Sequence, residues 1–219
     1  MGHKVHPKSF RLGINETWKS KWFSRHDFGK FLRQDIEIRK YLQKKLKEAG
    51  LAQVEIERSQ NNIVVNILTS KPGVVIGRSG AGVDILRKEL KEKVIKKPGY
   101  DLRLNIQEVT QPDLNAQIVC NNMILQIEKR IPFRRVMKQT IAQVMRAGAQ
   151  GVKVMISGRL DGVEIARRET LAQGKIPLHT LRSNIDYSRG AAHTTYGAVG
   201  VKIWIYKGQV FSKKSKKEK

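Results

Sequence analysis

The sequence is poor in the features that mark disulfide-rich, secreted and membrane proteins. It has one cysteine, Cys120, among 219 residues, which excludes an internal disulfide and a cysteine-rich zinc site. It has no run of about 18 apolar residues and no apolar signal-peptide segment at its start. His3 and His6 lack a second pair of metal ligands, so we predict no metal or other cofactor. We expect a soluble, cytoplasmic protein without a membrane partner.

Acidic residues are also scarce. Against 19 Asp and Glu stand 43 Lys and Arg, which gives a formal net charge of +24. This charge far exceeds what solubility requires, and it increases self-repulsion in the folded state unless a polyanion neutralises it. An anionic membrane surface is one such partner, but the chain lacks an anchoring segment. Nucleic acid is therefore the leading candidate, and no small-molecule substrate is expected.

Residues 73–82, GVVIGRSGAG, form a glycine-rich stretch. The dinucleotide-binding fingerprint fails here because Ile85 stands where its third glycine belongs. The nucleoside-triphosphate loop fails because Val83 and Asp84 occupy the positions that should contact phosphate and magnesium. What remains is a G-x-x-G pattern, typical of a loop that brings bare backbone close to a sugar-phosphate chain, although a surface turn explains it equally well. Its residues are Gly77, Arg78, Ser79 and Gly80.

The elements around this motif favour the nucleic-acid interpretation. Apolar residues at three- and four-residue steps predict a helix over residues 35–50, with Asp35 as its N-cap. Alternating apolar residues predict a β-hairpin over residues 54–67 and, after a further helix, a strand over residues 102–106. The order is helix, strand, strand, short helix, G-x-x-G, helix, strand. It resembles a type II KH domain at residues 38–107, in which this loop clamps single-stranded nucleic acid.

The second half of the chain predicts another α+β domain, at residues 108–211. Cys120 lies on the apolar face of one predicted helix, where core packing is a more ordinary role than catalysis, and Pro132 opens the next helix. Alternating apolar residues predict strands over residues 151–158, 163–170, 181–187 and 195–207. The predicted fold class is therefore α+β: a type II KH domain followed by two helices packed on a four-stranded sheet.

The two ends of the chain are basic. Residues 1–37 are predicted to form a basic N-terminal segment, and residues 212–219 a basic, disordered tail. The N-terminal segment also carries several aromatic rings. These rings either pin the segment to the body of the protein, which is the more ordinary role, or stack on bases. They belong to Trp18, Trp22, Phe23, Phe28 and Phe31.

The predicted helix over residues 132–148 has the most one-sided charge. Its apolar residues share one face, and Arg134, Arg135 and Lys138 share the opposite face, with no acidic residue between 133 and 147. Like charges at this spacing repel by roughly 0.2–0.5 kcal/mol, so stability alone does not favour the arrangement. An ordinary solvated face usually interleaves Glu with Lys. We therefore interpret these cations as a face that follows the phosphates of one strand.

Several ordered motifs together resemble one family along nearly the whole chain. They are MGHKVHP, RLGI, KPGVVIGRSG, FRRVMK, SGRLDGVEIAR, IPLHTLR, IDY and AHTTYGAVGVKIWIYKG. The sequence is similar to the S-three family of bacterial and organellar small-subunit ribosomal proteins. This resemblance implies a place on the head of the small ribosomal subunit, with ribosomal RNA, messenger RNA and neighbouring ribosomal proteins as partners.

The resemblance also implies roles for particular residues. Arg134, Arg135 and Lys138 match basic residues that line the channel by which messenger RNA enters the subunit and that help to unwind it. Other basic residues are expected to hold ribosomal RNA. They are Lys4, Lys8, Arg11, Arg159, Arg167 and Arg168.

Two other function classes remain to be compared with the ribosomal one. A free-standing KH-type regulator would bind single-stranded messages through the groove beside the G-x-x-G motif. A nuclease or ATP-driven helicase is disfavoured, because Asp84 and Asp161 are isolated carboxylates and no phosphate-loop lysine exists. We predict that the protein is not an enzyme.

Overall fold

A computed structural model describes residues 4–59, 62–95 and 101–211, so the predicted tail at residues 212–219 lies outside the described residues. The chain forms two compact units. One unit comprises residues 18–112, and the other comprises residues 113–211 together with residues 4–17. The segment predicted at residues 1–37 is therefore not one piece, because its two parts belong to different units.

The unit of residues 18–112 has mixed helices and strands. Its helices are α2 (Phe28–Lys45), α3 (Pro72–Ile76) and α4 (Ala81–Leu90), which a π-helical turn extends to Ile95. Its strands are β1 (Ser20–Lys21), β2 (Leu51–Arg58), β3 (Asn62–Thr69) and β4 (Asp101–Glu108).

These strands form a four-stranded sheet in the order β1-β2-β3-β4. β2 and β3 are antiparallel, whereas β3 and β4 are parallel and are joined through α3 and α4. The inward residues of the sheet alternate along each strand, as period-2 geometry requires, and pack against the helices. The element order confirms the predicted type II KH fold.

α2 begins at Phe28, seven positions before Asp35, so the predicted N-cap role of Asp35 is wrong. Asp35 lies inside the helix and is fully buried. The periodic pattern did not reveal the first two turns because two of their apolar residues, Phe28 and Leu32, are exposed, and because the buried residue that would link Phe31 to the stripe of Ile38 is the polar Asp35.

Asp35 accepts hydrogen bonds from three parts of its unit. The Ser20 hydroxyl and Trp22 Nε1 each donate to Oδ2 at 2.8 Å, and Arg58 donates to Oδ1 from Nη2 at 2.6 Å. Trp22 also packs on the rings of Phe28 and Phe31, with centroids 5.4 and 5.7 Å apart. This contact confirms that part of the aromatic segment packs on the body of the protein. Trp18 and Phe23 are exposed.

The other unit has two long helices and four strands. Its helices are α1 (Pro7–Phe10), α5 (Ala116–Glu128) and α6 (Phe133–Arg146). Its strands are β5 (Gly151–Gly158), β6 (Arg167–Gly174), β7 (Ser183–Thr194) and β8 (Gly197–Gln209).

The strands of this unit pair antiparallel in the order β6-β5-β8-β7. α5 and α6 share a core with one face of the sheet. A smaller apolar cluster contains Trp204 and Tyr206, and Tyr187 packs against it. The His6 ring, from residues 4–17, contacts Tyr187 edge-on, with the two ring centroids 4.8 Å apart. Two helices on a four-stranded sheet were predicted, and the structure confirms them.

β6 begins at Arg167 and not at the predicted Val163. Asp161, in the turn after β5, has a left-handed backbone with φ 56°. Arg159 Nε donates to the Val163 carbonyl at 2.9 Å, so a side chain occupies an acceptor that a longer strand would have used in its ladder.

Candidate nucleic-acid interface

The G-x-x-G motif lies at the junction of α3 and α4. Gly77 ends α3 with φ 69°, and Gly80 precedes α4 with φ 82°, both in the region that glycine adopts without a steric penalty. A Cβ on Gly82 would lie 2.6 Å from the Val75 carbonyl oxygen, so the two helices approach with no room for a side chain. The glycines therefore bring two short helices together and leave the loop backbone bare.

The loop carries one exposed cation beside an apolar surface. Arg78 is exposed and has no ion pair with any residue in the described part of the chain. Val74, Ile76 and Ile85, on α3 and α4, are also exposed. Apolar side chains beside a bare, cationic loop suit a nucleotide, whose base is apolar on its faces and whose phosphate is anionic. The sequence analysis missed this surface, although three β-branched residues before the motif were its signal.

α6 presents one buried face and one cationic face. Its buried residues are Phe133, Val136, Met137, Thr140, Ile141 and Val144. Arg134, Arg135 and Lys138 are exposed, as the sequence predicted. Since the core fixes the rotation of the helix, these cations have a fixed direction toward solvent.

The structure brings an acid to this face that the sequence analysis did not foresee. Glu169 of β6 lies 3.2 Å from Arg134 and 3.5 Å from Arg167, and the guanidinium groups of both arginines lie within 6 Å of the Phe133 ring centre. Glu169 stands far along the chain from α6, so only the pairing of β5 with β6 places it there. Arg135 and Lys138 form no ion pair with any residue among 4–59, 62–95 and 101–211.

Arg11 was predicted to contact ribosomal RNA, and the structure contradicts this. Only 1% of Arg11 is exposed. Its guanidinium donates to the carbonyls of Pro7, Leu178 and Thr180 at 2.9, 2.9 and 3.0 Å. Burial lowers the pKa of Arg11, with a smaller opposing effect of Glu16, and the carbonyl oxygens surround the charge. Arg11 therefore fastens residues 4–17 to their unit and cannot reach a phosphate.

Lys8 has an internal partner as well. Its Nζ lies 2.7 Å from Asp186 Oδ1, and Asp186 Oδ2 accepts from the Ala116 N–H at the start of α5. Burial opposes the charge of Asp186, but Lys8, Lys207 and that N–H outweigh burial and hold the pKa of Asp186 below its ordinary value. Lys8 thus contributes to the fold, which competes with its predicted role on RNA.

The other cations predicted to hold ribosomal RNA are differently placed. Lys4 and Arg168 are exposed, and Arg167 shares Glu169 with Arg134. Arg159 is half-buried and donates to the carbonyls of Val163 and Tyr196. These four remain predictions.

Sequence patterns of two families match the two halves of the chain. The KH domain pattern matches residues 37–114, which contain α3, α4 and the G-x-x-G motif. The pattern described as the C-terminal domain of ribosomal protein S3 matches residues 123–205, which contain α6 and most of its sheet.

Full-length relatives agree with both matches. The chain is 53% identical over 215 residues to small ribosomal subunit protein uS3 of Caldicellulosiruptor saccharolyticus, covering 98% of this chain and 96% of the relative. It is 49% identical to the protein of the same name in Halalkalibacterium halodurans, covering 100% and 98% of the two chains. The chain belongs to the uS3 family.

Membership in the uS3 family confirms the predicted resemblance and the pairing of an RNA-binding KH domain with an S3 C-terminal domain. The family is one of ribosomal structural proteins, so the prediction that the chain is not an enzyme is also confirmed. Cys120 is fully buried, and burial raises the pKa of its thiol to about 11, against a smaller opposing effect of Ser188. A neutral, inaccessible thiol is unreactive, so Cys120 packs the core of this uS3 domain.

Within residues 4–59, 62–95 and 101–211, no group of three or more His, Cys, Asp and Glu side chains is arranged to hold a metal ion. Over the same residues, no helix has the length and apolar character needed to cross a membrane.

Proposed function

We propose that the protein is a structural constituent of the small ribosomal subunit head and that the exposed face of α6 contacts messenger RNA where it enters the subunit. The observation that carries the messenger contact is the pair Arg135 and Lys138, two exposed cations on a helix whose opposite face is locked into a core. In the same assembly, ribosomal RNA and neighbouring ribosomal proteins are the other partners.

The spacing of the cations on α6 suits one strand. Arg134 and Lys138 are separated by four residues, or about 6 Å along the helix axis, close to the distance between neighbouring phosphates. Cations in the first turn oppose the helix dipole by roughly 0.3–1 kcal/mol each, so a bound anion stabilises this end of the helix. Arg134 must break its ion pair with Glu169 to bind a phosphate. Arg135 and Lys138 have no ion pair to break within the described part of the chain.

The proposed contribution to unwinding is passive. Cations that hold the phosphates of a single strand favour the separated state of a structured message by binding it, and this requires no chemical step from the protein. The energy for opening is then supplied by movement of the message through the ribosome.

The G-x-x-G loop is proposed as a second RNA contact. Arg78 offers a cation, Val74 and Ile85 offer apolar surface, and the backbone of Gly77 and Gly80, which has no side chains, allows close approach to a sugar-phosphate chain.

The dependence of RNA binding on salt tests the α6 contact. Each phosphate neutralised on a single strand contributes about 0.7 to the slope of log affinity against log salt concentration. Replacing Arg134, Arg135 and Lys138 with alanine is expected to flatten the slope by about 2 for a single-stranded RNA and the full-length chain.

A matched variant controls for net charge. Lys30, Arg33 and Lys44 are exposed cations of α2, and replacing them with alanine removes the same three charges from another helix. This control is expected to retain the slope of the unmodified protein. Equal slopes for the α6 variant and the unmodified protein would remove α6 from the RNA-binding surface.

A further inference from the structure

A cavity of about 370 Å³ opens beside the N-terminal end of α6. We call it the hairpin cavity, because the turn after β5 and the turn between β7 and β8 form two of its walls, and the α5–α6 junction forms the third. Arg159 and Asp161 come from the first turn, Tyr196 from the second, and Arg130 and Phe133 from the junction. The volume is in the range of pockets that hold small ligands.

The backbone around this cavity is strained at two places. Arg130 and Asp161 have φ values of 60° and 56°, and they are the non-glycine residues with positive φ among residues 4–59, 62–95 and 101–211. Both line the hairpin cavity. Glycine is the residue that adopts this conformation without penalty, and strained non-glycine residues cluster at binding sites. The left-handed turns direct two charged side chains to one opening.

The walls combine an aromatic ring with polar groups of both signs. Tyr196 is 56% exposed. A Cβ on Gly162 would lie 3.1 Å from its ring, so the absence of a side chain at Gly162 leaves room for the ring. The Arg159 guanidinium lies 5.8 Å from the ring centre, and its Nη1 donates to the Tyr196 carbonyl at 3.3 Å. Cations alone would suit a bare phosphate. A ring with donors and acceptors around it suits a base, which stacks and also forms hydrogen bonds at its edge.

The cavity adjoins the cationic face of α6. Phe133 is the shared residue: it lines the cavity, and its ring carries the guanidinium groups of Arg134 and Arg167 at 5.7 and 5.8 Å. The cavity and the cationic face of α6 therefore lie next to each other.

We infer that the hairpin cavity receives the base of one unpaired nucleotide of the RNA strand that α6 holds. The inference rests on the proposed function, which supplies the strand. Tyr196 stacks on the base, and Arg159 and Arg130 lie beside its sugar-phosphate. A base held here would fix the position of the strand along α6, which phosphate contacts alone do not do.

A comparison of RNA with and without bases tests the inference. The full-length protein is titrated with a single-stranded oligouridylate of about 12 nucleotides and with an abasic ribose-phosphate chain of the same length. Replacing Tyr196 with alanine is expected to reduce the ratio of the affinity for the oligouridylate to that for the abasic chain by roughly 5- to 150-fold, the range for loss of one stacked base. The salt slope is expected to stay unchanged, because the substitution removes no charge.

Two further variants make the result specific. Tyr196→Phe keeps the ring and is expected to retain the ratio of the unmodified protein. Phe10→Ala removes an exposed ring far along the chain from the cavity and is expected to retain it too. An equal ratio for Tyr196→Ala and the unmodified protein would overturn the inference.

The two proposals fail separately. A lowered ratio for Tyr196→Ala together with an unchanged slope for the α6 variant would support base binding in the cavity, but on a strand that α6 does not hold, and would overturn the α6 contact. A flattened slope for the α6 variant with an unchanged ratio for Tyr196→Ala would do the reverse.

Discussion

Arg11 and Arg58, near the start of the chain, are buried, whereas Arg135 and Lys138 of α6 are exposed to solvent. Arg11 is surrounded by carbonyl oxygens, and Arg58 is paired with the buried carboxylate of Asp35. The exposed pair on α6 has no acidic partner in the described part of the chain. All four are cations of a strongly basic protein, yet the first two stabilise the fold and the second two are available to a partner.

The difference lies in the acceptors that the fold places around each cation. Backbone carbonyls of residues 177–180 converge on Arg11, and Asp35 reaches Arg58 from α2. On α6, Glu169 serves Arg134 and does not reach Arg135 or Lys138. A basic residue therefore becomes a candidate RNA contact only where the fold leaves its charge without acceptors. Net charge alone indicates the class of partner but not the residues that bind it.

The largest expected effect comes from breaking the buried pair. Replacing Asp35 with alanine leaves Arg58, whose side chain is 5% exposed, as an uncompensated buried charge. It also removes the acceptor of Trp22 and Ser20. We expect the free energy of unfolding of this unit to fall by about 3–5 kcal/mol, measured by amide hydrogen exchange of residues 18–112.

The double replacement Asp35→Leu and Arg58→Met is the control for this prediction. An apolar pair leaves no unpaired charge, so most of the lost stability is expected to return. Equal stability of the single and double variants would show that the ion pair is not the source of the loss.

A somewhat smaller effect is expected at Arg11. Replacing it with methionine keeps an apolar stem but leaves the carbonyls of Leu178 and Thr180 without their donor. We expect the free energy of unfolding of the other unit to fall by roughly 3 kcal/mol, read from hydrogen exchange of residues 113–211. Lys4→Met, an exposed cation of the same segment, is the matched control and should change stability little. Similar losses in both variants would contradict the structural role of Arg11.

The fold was largely predictable because its signals are local. Period-2 alternation located the strands, and the glycines of the G-x-x-G motif located the junction of α3 and α4. The start of α2 was not predictable in this way, because Phe28 and Leu32 are exposed and the polar Asp35 interrupts the buried apolar stripe. The division of the N-terminal segment was not predictable either, since it depends on the distant acceptors of Arg11 and on the distant donors to Asp35.

The candidate interface was predictable only where all of its residues lie on one helix. The one-sided charge of α6 follows from helical periodicity, so Arg135 and Lys138 could be found without a structure. Glu169 and the hairpin cavity arise from strand pairing and turn geometry, and no local pattern places Tyr196 beside Arg159. The RLDG sequence around Asp161 indicates a turn, but it does not predict that Asp161 has a left-handed backbone.

The smallest expected effect concerns Lys8, a cation with an acidic partner but partial exposure. Asp186, which pairs with Lys8 and Lys207, has its pKa held below the ordinary value, because the attraction of these lysines and the Ala116 N–H outweighs burial. A lowered carboxylate pKa stabilises the folded state above the unfolded pKa of about 3.9, and this stabilisation is lost as the pH falls through the folded pKa. Asp186→Asn should therefore cost roughly 1.5 kcal/mol at neutral pH.

Below about pH 4 the same substitution should cost progressively less, because the carboxyl of the unfolded protein is protonated first, and the folded carboxyl, with its lower pKa, is protonated at a still lower pH and then loses its attraction for Lys8. Urea unfolding of both proteins across this range measures the difference and cancels the titration of other groups. A difference that stays constant from about pH 7 to about pH 3 would show that the charge of Asp186 does not hold Lys8. Lys8 would then join Arg135 and Lys138 as a cation that the fold leaves available to RNA.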